Sequence, residues 1–321
     1  MRCLLVLFLT SMGSFAQNGA LRFPALGFAP DSRSTRIRPI RGIPGAALLG
    51  DPLDAASAVT SAAISPQQDL ALAVSAADGQ VYLVPLSGEP SRAIPDAMAT
   101  PSHIVFSPSG RAAVIWGDRI QLLTGLAGTP RVSDVPLASF ASPATLALSD
   151  DAQALLAFSA KDDAPVWLAG PDGNATQLPM PGSVMAAAFR RDSHDAVAVT
   201  RSGDIYLIRN AGPNAEILQV YVGDGKTSDP VAIRMSLDGA RAFTANTRGT
   251  VAVIDLVTGS AEGVSCQCSP IGLEPLNAPS LFRLTEISDR PVMLFDASTP
   301  TPRIWFIPAD APPAGQQRSA Q

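Results

Sequence analysis

Short apolar runs separated by turn residues recur along this chain. Between Val231 and Gly259 three runs follow one another, VAIRMS, RAFTAN and TVAVIDL, and a turn that contains glycine joins each run to the next. Gly239 and Gly249 stand where a tight hairpin turn needs a residue that tolerates a positive φ. The stretch therefore predicts a three-stranded antiparallel meander.

Weaker copies of this unit fill residues 58–308. The corresponding positions at the end of each first strand are spaced by about 42 residues in most copies. Periods of roughly 40–50 residues with four short strands each are typical of propeller blades. The pattern predicts an all-β propeller of about six four-stranded blades, with a seventh possible if the N-terminal segment and Ile271–Leu276 pair with neighbouring strands. The corresponding positions are Ser65, Ser107, Ser149, Arg190, Ser236 and Thr285.

The ends of the repeat suggest how the ring closes. The sixth copy lacks a clear fourth strand, whereas Thr35–Arg41 forms a strand-like run before the first copy. We expect Thr35–Arg41 to pair with Ile304–Ile307, because closure removes exposed sheet edges. This prediction places residues 17–308 in one propeller closed by an N-terminal strand, and residues 309–321 in a disordered tail.

The N-terminus has the features of a secretory signal. Arg2 precedes an apolar run from Leu4 to Leu9, and small residues lead up to Ala16. We expect residues 1–16 to be removed near Ala16 and the mature protein to be exported to the periplasm or outside the cell. No other run approaches the roughly 18 apolar residues of a membrane-spanning helix, so we expect no transmembrane segment.

Composition narrows the possible partners. The net charge is −5, so no basic surface indicates nucleic acid.

Cys266 and Cys268 are alternate residues and would lie about 6.6 Å apart at their Cα atoms in a strand. This distance is at the upper edge of disulfide geometry, so the sequence leaves both a disulfide and two unbridged thiols open.

Several hairpins resemble those of a known family. Phe106–Gly110, Ile64–Pro66 and Met235–Gly239 are similar to the FSPDG hairpin of bacterial YVTN and WD-repeat-like β-propellers, and Phe243–Gly259 is similar to the YVTN unit itself. The resemblance covers roughly residues 58–308 and implies the propeller fold. It also implies a choice of functions, since such propellers include binding scaffolds, surface-layer proteins and a few sugar-lactone hydrolases.

Residues that commonly carry chemistry are few. The chain has two histidines, His103 and His194, whereas a histidine-based metal site needs two or three converging ligands. We therefore expect no metal and no cofactor. The acidic pairs Asp150-Asp151 and Asp162-Asp163 fall in predicted turns, where aspartate usually serves local hydrogen bonding.

One end of the predicted propeller carries a mixed polar surface. Turns between second and third strands share an end with the links between blades, and such ends commonly bind ligands or partners. The alternative is that these are ordinary solvated turn residues. The predicted binding residues, which we call the turn-face set, are Trp116, Asp118, Arg119, Lys161, Asp162, Arg201, Asp204, Asn246 and Arg248; the candidates facing the axis are His103, Arg234 and Arg283.

These features favour an exported, monomeric, non-enzymatic propeller that binds an unknown protein or small-molecule ligand. Trp116 and Arg248 are the expected anchors, because tryptophan and arginine are enriched at binding hot spots. The alternative is an extracytoplasmic propeller-type hydrolase such as a lactonase, which would require charged side chains converging on the axis.

Overall fold

A computed structural model describes residues 25–310, except 55–57, 137–144, 160 and 162–163. The predicted signal at residues 1–16 lies outside the described residues, as does the tail after Asp310. In the described ranges the chain forms seven antiparallel sheets, one of three strands and six of four. We number them blades 1 to 7 in chain order.

Within each blade the strands are adjacent in the order in which they occur along the chain, starting from the innermost strand. Their bounds are β1 Ala25–Asp31, β2 Arg36–Arg41 and β3 Leu48–Leu49 in blade 1; β4 Val59–Ile64, β5 Leu70–Ser75, β6 Val81–Pro85 and β7 Arg92–Ala93 in blade 2; β8 His103–Phe106, β9 Ala113–Trp116, β10 Ile120–Thr124 and β11 Arg131–Asp134 in blade 3; β12 Thr145–Leu148, β13 Leu155–Phe158, β14 Val166–Ala169 and β15 Ala175–Leu178 in blade 4; β16 Val184–Phe189, β17 Ala196–Thr200, β18 Ile205–Arg209 and β19 Glu216–Tyr221 in blade 5; β20 Pro230–Met235, β21 Arg241–Asn246, β22 Thr250–Asp255 and β23 Ala261–Ser265 in blade 6; and β24 Glu274–Pro275, β25 Leu281–Arg283, β26 Val292–Asp296 and β27 Arg303–Ile307 in blade 7.

The all-β propeller is confirmed, with seven blades rather than six. The two segments that made a seventh blade possible are the ones that form it. The N-terminal residues build blade 1, and the Ile271–Leu276 segment supplies the inner strand β24 of blade 7.

Apolar packing between neighbouring blades holds the ring together. Seven buried clusters of the described residues each join one blade to the next, and the seventh joins blade 7 back to blade 1. Strands β5, β9, β13 and β17 are buried at every position. These continuous apolar strands are therefore covered on both faces, and each buried Val, Leu or Ile contributes about 1.5–3 kcal/mol before ordering costs.

The recurring serine after the first strand is a turn cap. Ser107, Ser149 and Ser236 are all buried. The Oγ atom of Ser149 accepts the N–H of Ala154 at 2.9 Å, and that of Ser236 accepts the N–H of Arg241 at 2.9 Å. The hydroxyl thus pairs a backbone donor that the short hairpin leaves unpaired. The serine of the FSPDG-like motif is structural.

Carboxylates at these same turns tie blades 3, 4 and 5 together. Asp150 of blade 4 accepts the N–H of Ser109 in blade 3 at 2.6 Å and the N–H of Asp192 in blade 5 at 2.7 Å. Asp151 lies 2.7 Å from Nε2 of His194 in blade 5. This acidic pair therefore links blades, and its hydrogen bonds reach beyond its own turn. The pair Asp162-Asp163 lies outside the described residues.

The ring does not close by the predicted strand pairing. Thr35–Arg41 does not pair with Ile304–Ile307, because β2 pairs with β1 and β3 while β27 pairs with β26. Ile37 packs against blade 2 and Ile40 against blade 7, and both side chains are fully buried. A strand that is apolar on both faces must be covered on both faces, and a place between two sheets provides that cover.

Gln68 connects the three blades that meet at the closure. It lies in the first turn of blade 2 and is buried. Its Oε1 accepts the N–H of Phe28 in blade 1 at 2.6 Å, and its Nε2 donates to the carbonyl of Pro275 in blade 7 at 2.7 Å. A Cβ atom on Gly27 would lie 2.6 Å from Leu276 Cδ2 and 2.9 Å from Gln68 Oε1, so a larger residue there would displace both side chains.

An ion pair between the buried Arg38 and the exposed Asp310 also connects blade 1 with the residues after β27. The Arg38 guanidinium of β2 donates to Asp310 through Nη2 at 3.1 Å and lies 3.4 Å from Asp31. The hydrogen bond with Asp310 raises the pKa of Arg38, and the same bond lowers the pKa of Asp310. The residues that follow β27 are thus attached to blade 1 by charge.

Cys266 and Cys268 form a disulfide just after β23, outside the strand in which the sequence placed them. Their Cα atoms are 5.1 Å apart, closer than in an extended strand, because Gln267 between them has a φ of 51°. The N–H of Cys266 donates to the carbonyl of Gly249 at 2.8 Å. The disulfide loop therefore covers the turn between β21 and β22.

We expect Gln68→Ala to destabilise the fold by about 2–4 kcal/mol, because the N–H of Phe28 and the carbonyl of Pro275 would both lose their buried partner. Denaturant melts measure this loss. Gln67→Ala is the matched control, since Gln67 is the neighbouring glutamine and is exposed. Equal stability of the two variants would contradict the role of Gln68 in closure.

We expect the double variant Cys266→Ser with Cys268→Ser to fold normally. In the chain-entropy model a three-residue loop contributes only about 1.5 kcal/mol. Melts of the variant and of the reduced wild-type protein should show the same small loss. A loss of several kcal/mol would instead show that the disulfide is essential to the fold.

Candidate functional site

A cavity of about 490 Å³ lies on the propeller axis. This volume is within the range of about 300–1,000 Å³ that is usual for small-molecule sites. Blades 2 to 7 contribute their inner strands, and all of these except blade 4 also contribute the turn that follows. The longest uninterrupted stretches of the wall are Ile104–Pro108, Thr145–Leu148, Met185–Phe189, Val231–Leu237 and 271–282.

Strand edges form much of this wall. Side chains alternate between the two faces of a strand, so a wall built from one face would use every second residue. The cavity is lined instead by consecutive residues, such as all of Met185–Phe189. Each inner strand is also the first strand of its sheet and pairs on one side only. Backbone N–H and C=O groups on the other edge therefore face the cavity between apolar side chains.

Small side chains leave the space open. Ala63, Ala187 and Ala232 lie on three different inner strands, line the cavity and are half-buried. Their small size allows a cavity on the axis.

Three charged residues line the cavity, Arg191, Arg234 and Glu274. Arg234 is half-buried on β20, and its Nε donates to the carbonyl of Leu273 at 3.1 Å, so its side chain spans from blade 6 to blade 7. Arg191 lies 3.7 Å from the carboxylate of Asp192. Arg234 makes no ion pair with any carboxylate of the described residues.

Arg283 lies behind the wall. It is opposite Glu274 in the pairing of β24 with β25, is 7% exposed, and does not line the cavity. Its Nη1 donates to the carbonyl of Thr285 at 2.6 Å, while its Nε has no partner in the described chain. Burial lowers the pKa of Arg283, which Glu274 and Glu286 oppose by their negative charge. The guanidinium still remains protonated, as arginine does in proteins.

The two expected anchors differ in their surroundings. Trp116 is 4% exposed, packs in the cluster between blades 3 and 4, and stacks on His103 with ring centroids 4.6 Å apart. Its ring is therefore part of the core in this structure. Arg248 is exposed and makes an ion pair with Asp229 at 3.0 Å.

Several of the other turn-face residues have structural contacts. Asn246 is buried, and its Oδ1 accepts the N–H of Arg248 at 3.0 Å and that of Thr250 at 2.9 Å. Asp204 accepts the N–H of Gly223 at 3.0 Å. The exposed members are Asp118, Arg119, Lys161 and Arg201.

The structure does not bring the turn-face set into the cavity. None of its described members lines the wall, and Asp162 lies outside the described residues. Of the axial candidates, Arg234 lines the cavity, whereas His103 and Arg283 do not. Binding at the turn face stays a prediction.

Two lining residues, Arg191 and Glu274, were not anticipated from the sequence. Arg191 comes directly after the position that the capping serines occupy in other blades, so it lies just beyond the end of an inner strand. Glu274 lies on a strand of only two residues, too short for its pattern to be recognised.

The described residues hold no group of three or more His, Cys, Asp or Glu side chains that could bind a metal ion. They also contain no helix long and apolar enough to cross a membrane.

No protein-family model matches the chain, and no curated protein matches it. Solved structures do match its shape. One is a functionally unknown protein from Desulfotomaculum acetoxidans DSM 771, with 13% identity and a TM-score of 0.58 over 89% of this chain and 100% of that chain. Another is described as a candidate 6-phosphogluconolactonase from Bacteroides fragilis NCTC 9343, with 15% identity and a TM-score of 0.59 over 88% of this chain and 92% of that chain. At such identities the likeness shows the propeller fold alone, and membership of the YVTN family stays a prediction.

Proposed function

We propose that this protein is an exported binding protein that holds a small ligand in its axial cavity and does not transform it. The observation that supports this function best is the cavity wall. It combines apolar side chains, backbone groups of unpaired strand edges and the guanidinium of Arg234 in a volume suited to a small molecule.

The lining residues favour binding over catalysis. Hydrolysis needs a nucleophile or activated water together with an acid or base placed around the reacting atoms. The lining of the described cavity contains one carboxylate, Glu274, and no histidine. The carboxylates Asp150 and Asp151, by contrast, are engaged in contacts between blades.

A lactone hydrolase is the second candidate. The shape shared with the candidate 6-phosphogluconolactonase favours it, and so does the resemblance of the hairpins to a family with sugar-lactone hydrolases. Arg234 could polarise a lactone carbonyl, and Glu274 could activate a water molecule. This reading requires both charged groups to contact the substrate.

Export is supported by the apolar N-terminal run and by the disulfide between Cys266 and Cys268, a bond typical of oxidising compartments. We expect the full-length protein, expressed in a bacterial host, to be recovered from the periplasm or medium with Gln17 as its first residue. Cell fractionation and N-terminal sequencing check this. Recovery of an uncleaved chain from the cytoplasm would contradict export.

We expect a metabolite screen by thermal shift to find ligands that stabilise the wild-type protein, by about 2.7 kcal/mol at a hundredfold excess over Kd. Ala187→Phe should abolish the shift, because it adds a ring to the cavity wall. Val257→Phe is the matched control, since Val257 is 85% exposed and outside the cavity. Circular dichroism verifies that both variants fold.

The same screen separates the two candidate functions. If the protein only binds its ligand, lactones, esters and glycosides should not be hydrolysed, whether or not they bind. Turnover that is lost in Glu274→Gln would favour the hydrolase. Stabilising ligands that still bind to Ala187→Phe would show that the site is elsewhere.

A further inference from the structure

We propose that the ligand of the axial cavity is a small oxyanion, a carboxylate or phosphate ester whose body carries hydroxyl or amide groups, and that Arg234 binds its charge. The inference rests on the proposed function and specifies the ligand class of the same site.

Arg234 has donors to spare inside the wall. A guanidinium has five N–H donors, and here the described residues accept only the one on Nε, at the carbonyl of Leu273. That bond and the half-buried position fix the side chain between blades 6 and 7. The two terminal nitrogens form a planar pair of donors that matches carboxylate and phosphate oxygens in a bidentate geometry.

The other two charged residues of the wall each have an opposite charge beside them. Nε of Arg191 lies 3.7 Å from Asp192, which also binds Arg111 at 2.7 Å. Glu274 lies opposite the buried Arg283 in the β24–β25 pairing, and the two charges attract each other. Arg234 makes no ion pair with the described carboxylates, and an anionic ligand would supply one.

The strand edges determine what the rest of the ligand must offer. Every second N–H and C=O of an edge strand lacks a partner within its sheet. A hydrocarbon chain pressed against these edges would leave the groups desolvated and unpaired, which is unfavourable. Hydroxyl or amide groups could pair with them, so a polar body is favoured over an alkyl chain.

Four probes test these two features by isothermal titration calorimetry at fixed ionic strength: gluconate, glucose 6-phosphate, glucose and octanoate. We expect one of the first two to bind. Glucose, which lacks the charge, and octanoate, which lacks the hydroxyls, should each bind at least about tenfold more weakly.

Variants then assign the charge to Arg234. Arg234→Met should weaken binding of the anionic sugar about tenfold or more without changing the weak binding of glucose, and Arg234→Lys should restore part of the loss. Arg290→Met is the matched control, an exposed arginine outside the cavity that should bind as the wild type does.

The outcomes distinguish this inference from the proposed function. If glucose binds as tightly as gluconate and glucose 6-phosphate, if Arg234→Met binds the anions as the wild type does, or if neither anion binds at millimolar concentration, the inference is wrong. A neutral ligand that Ala187→Phe excludes would leave the binding function standing while overturning the ligand class.

Discussion

Face-to-face packing of apolar sheets is the constraint on which the rest of this structure depends. Middle strands such as β5 and β13 are buried at every position, so each sheet needs an apolar neighbour on both sides. A ring of sheets meets that need for every blade at once. The ring also turns one edge of each inner strand towards the axis, where no further strand pairs with it. The cavity and its hydrogen-bonding wall follow from the packing that stabilises the fold.

Closure of the ring obeys the same constraint. Blade 1 has only three strands, yet Ile37 and Ile40 are buried against blade 2 and blade 7 as completely as the cores of the larger blades. Two polar contacts add to this packing. Gln68 binds backbone groups of blades 1 and 7, and Arg38 of blade 1 pairs with Asp310 after the last strand. Packing thus closes the ring, and the polar contacts fix its alignment.

The sequence predicts the fold better than the site. Regular spacing of the positions that end the first strands is a strong periodic signal, and at Ser107 and Ser149 the hydroxyl accepts a backbone N–H across the turn. Blade 1 and β24 were harder to predict because blade 1 has three strands instead of four, and because β3 and β24 have only two residues each. The cavity wall was out of reach for another reason. Much of the wall is backbone at strand edges, and the residue types of a strand do not indicate which of its edges is left unpaired. Of the axial candidates, only Arg234 lies in the wall.

The contacts of polar side chains elsewhere in the fold are the reason why we propose the axis as the binding site. At the first turns, the carboxylates of Asp150 and Asp151 are bound to groups of adjoining blades. At the turn face, Asn246 and Asp204 pair backbone donors, and Trp116 is buried between blades. These groups have their partners within the fold. The axial edges of the inner strands have no partner in the fold, because no further strand of the described propeller lies on its axis. A ligand on the axis would therefore meet backbone donors and acceptors that are not yet paired.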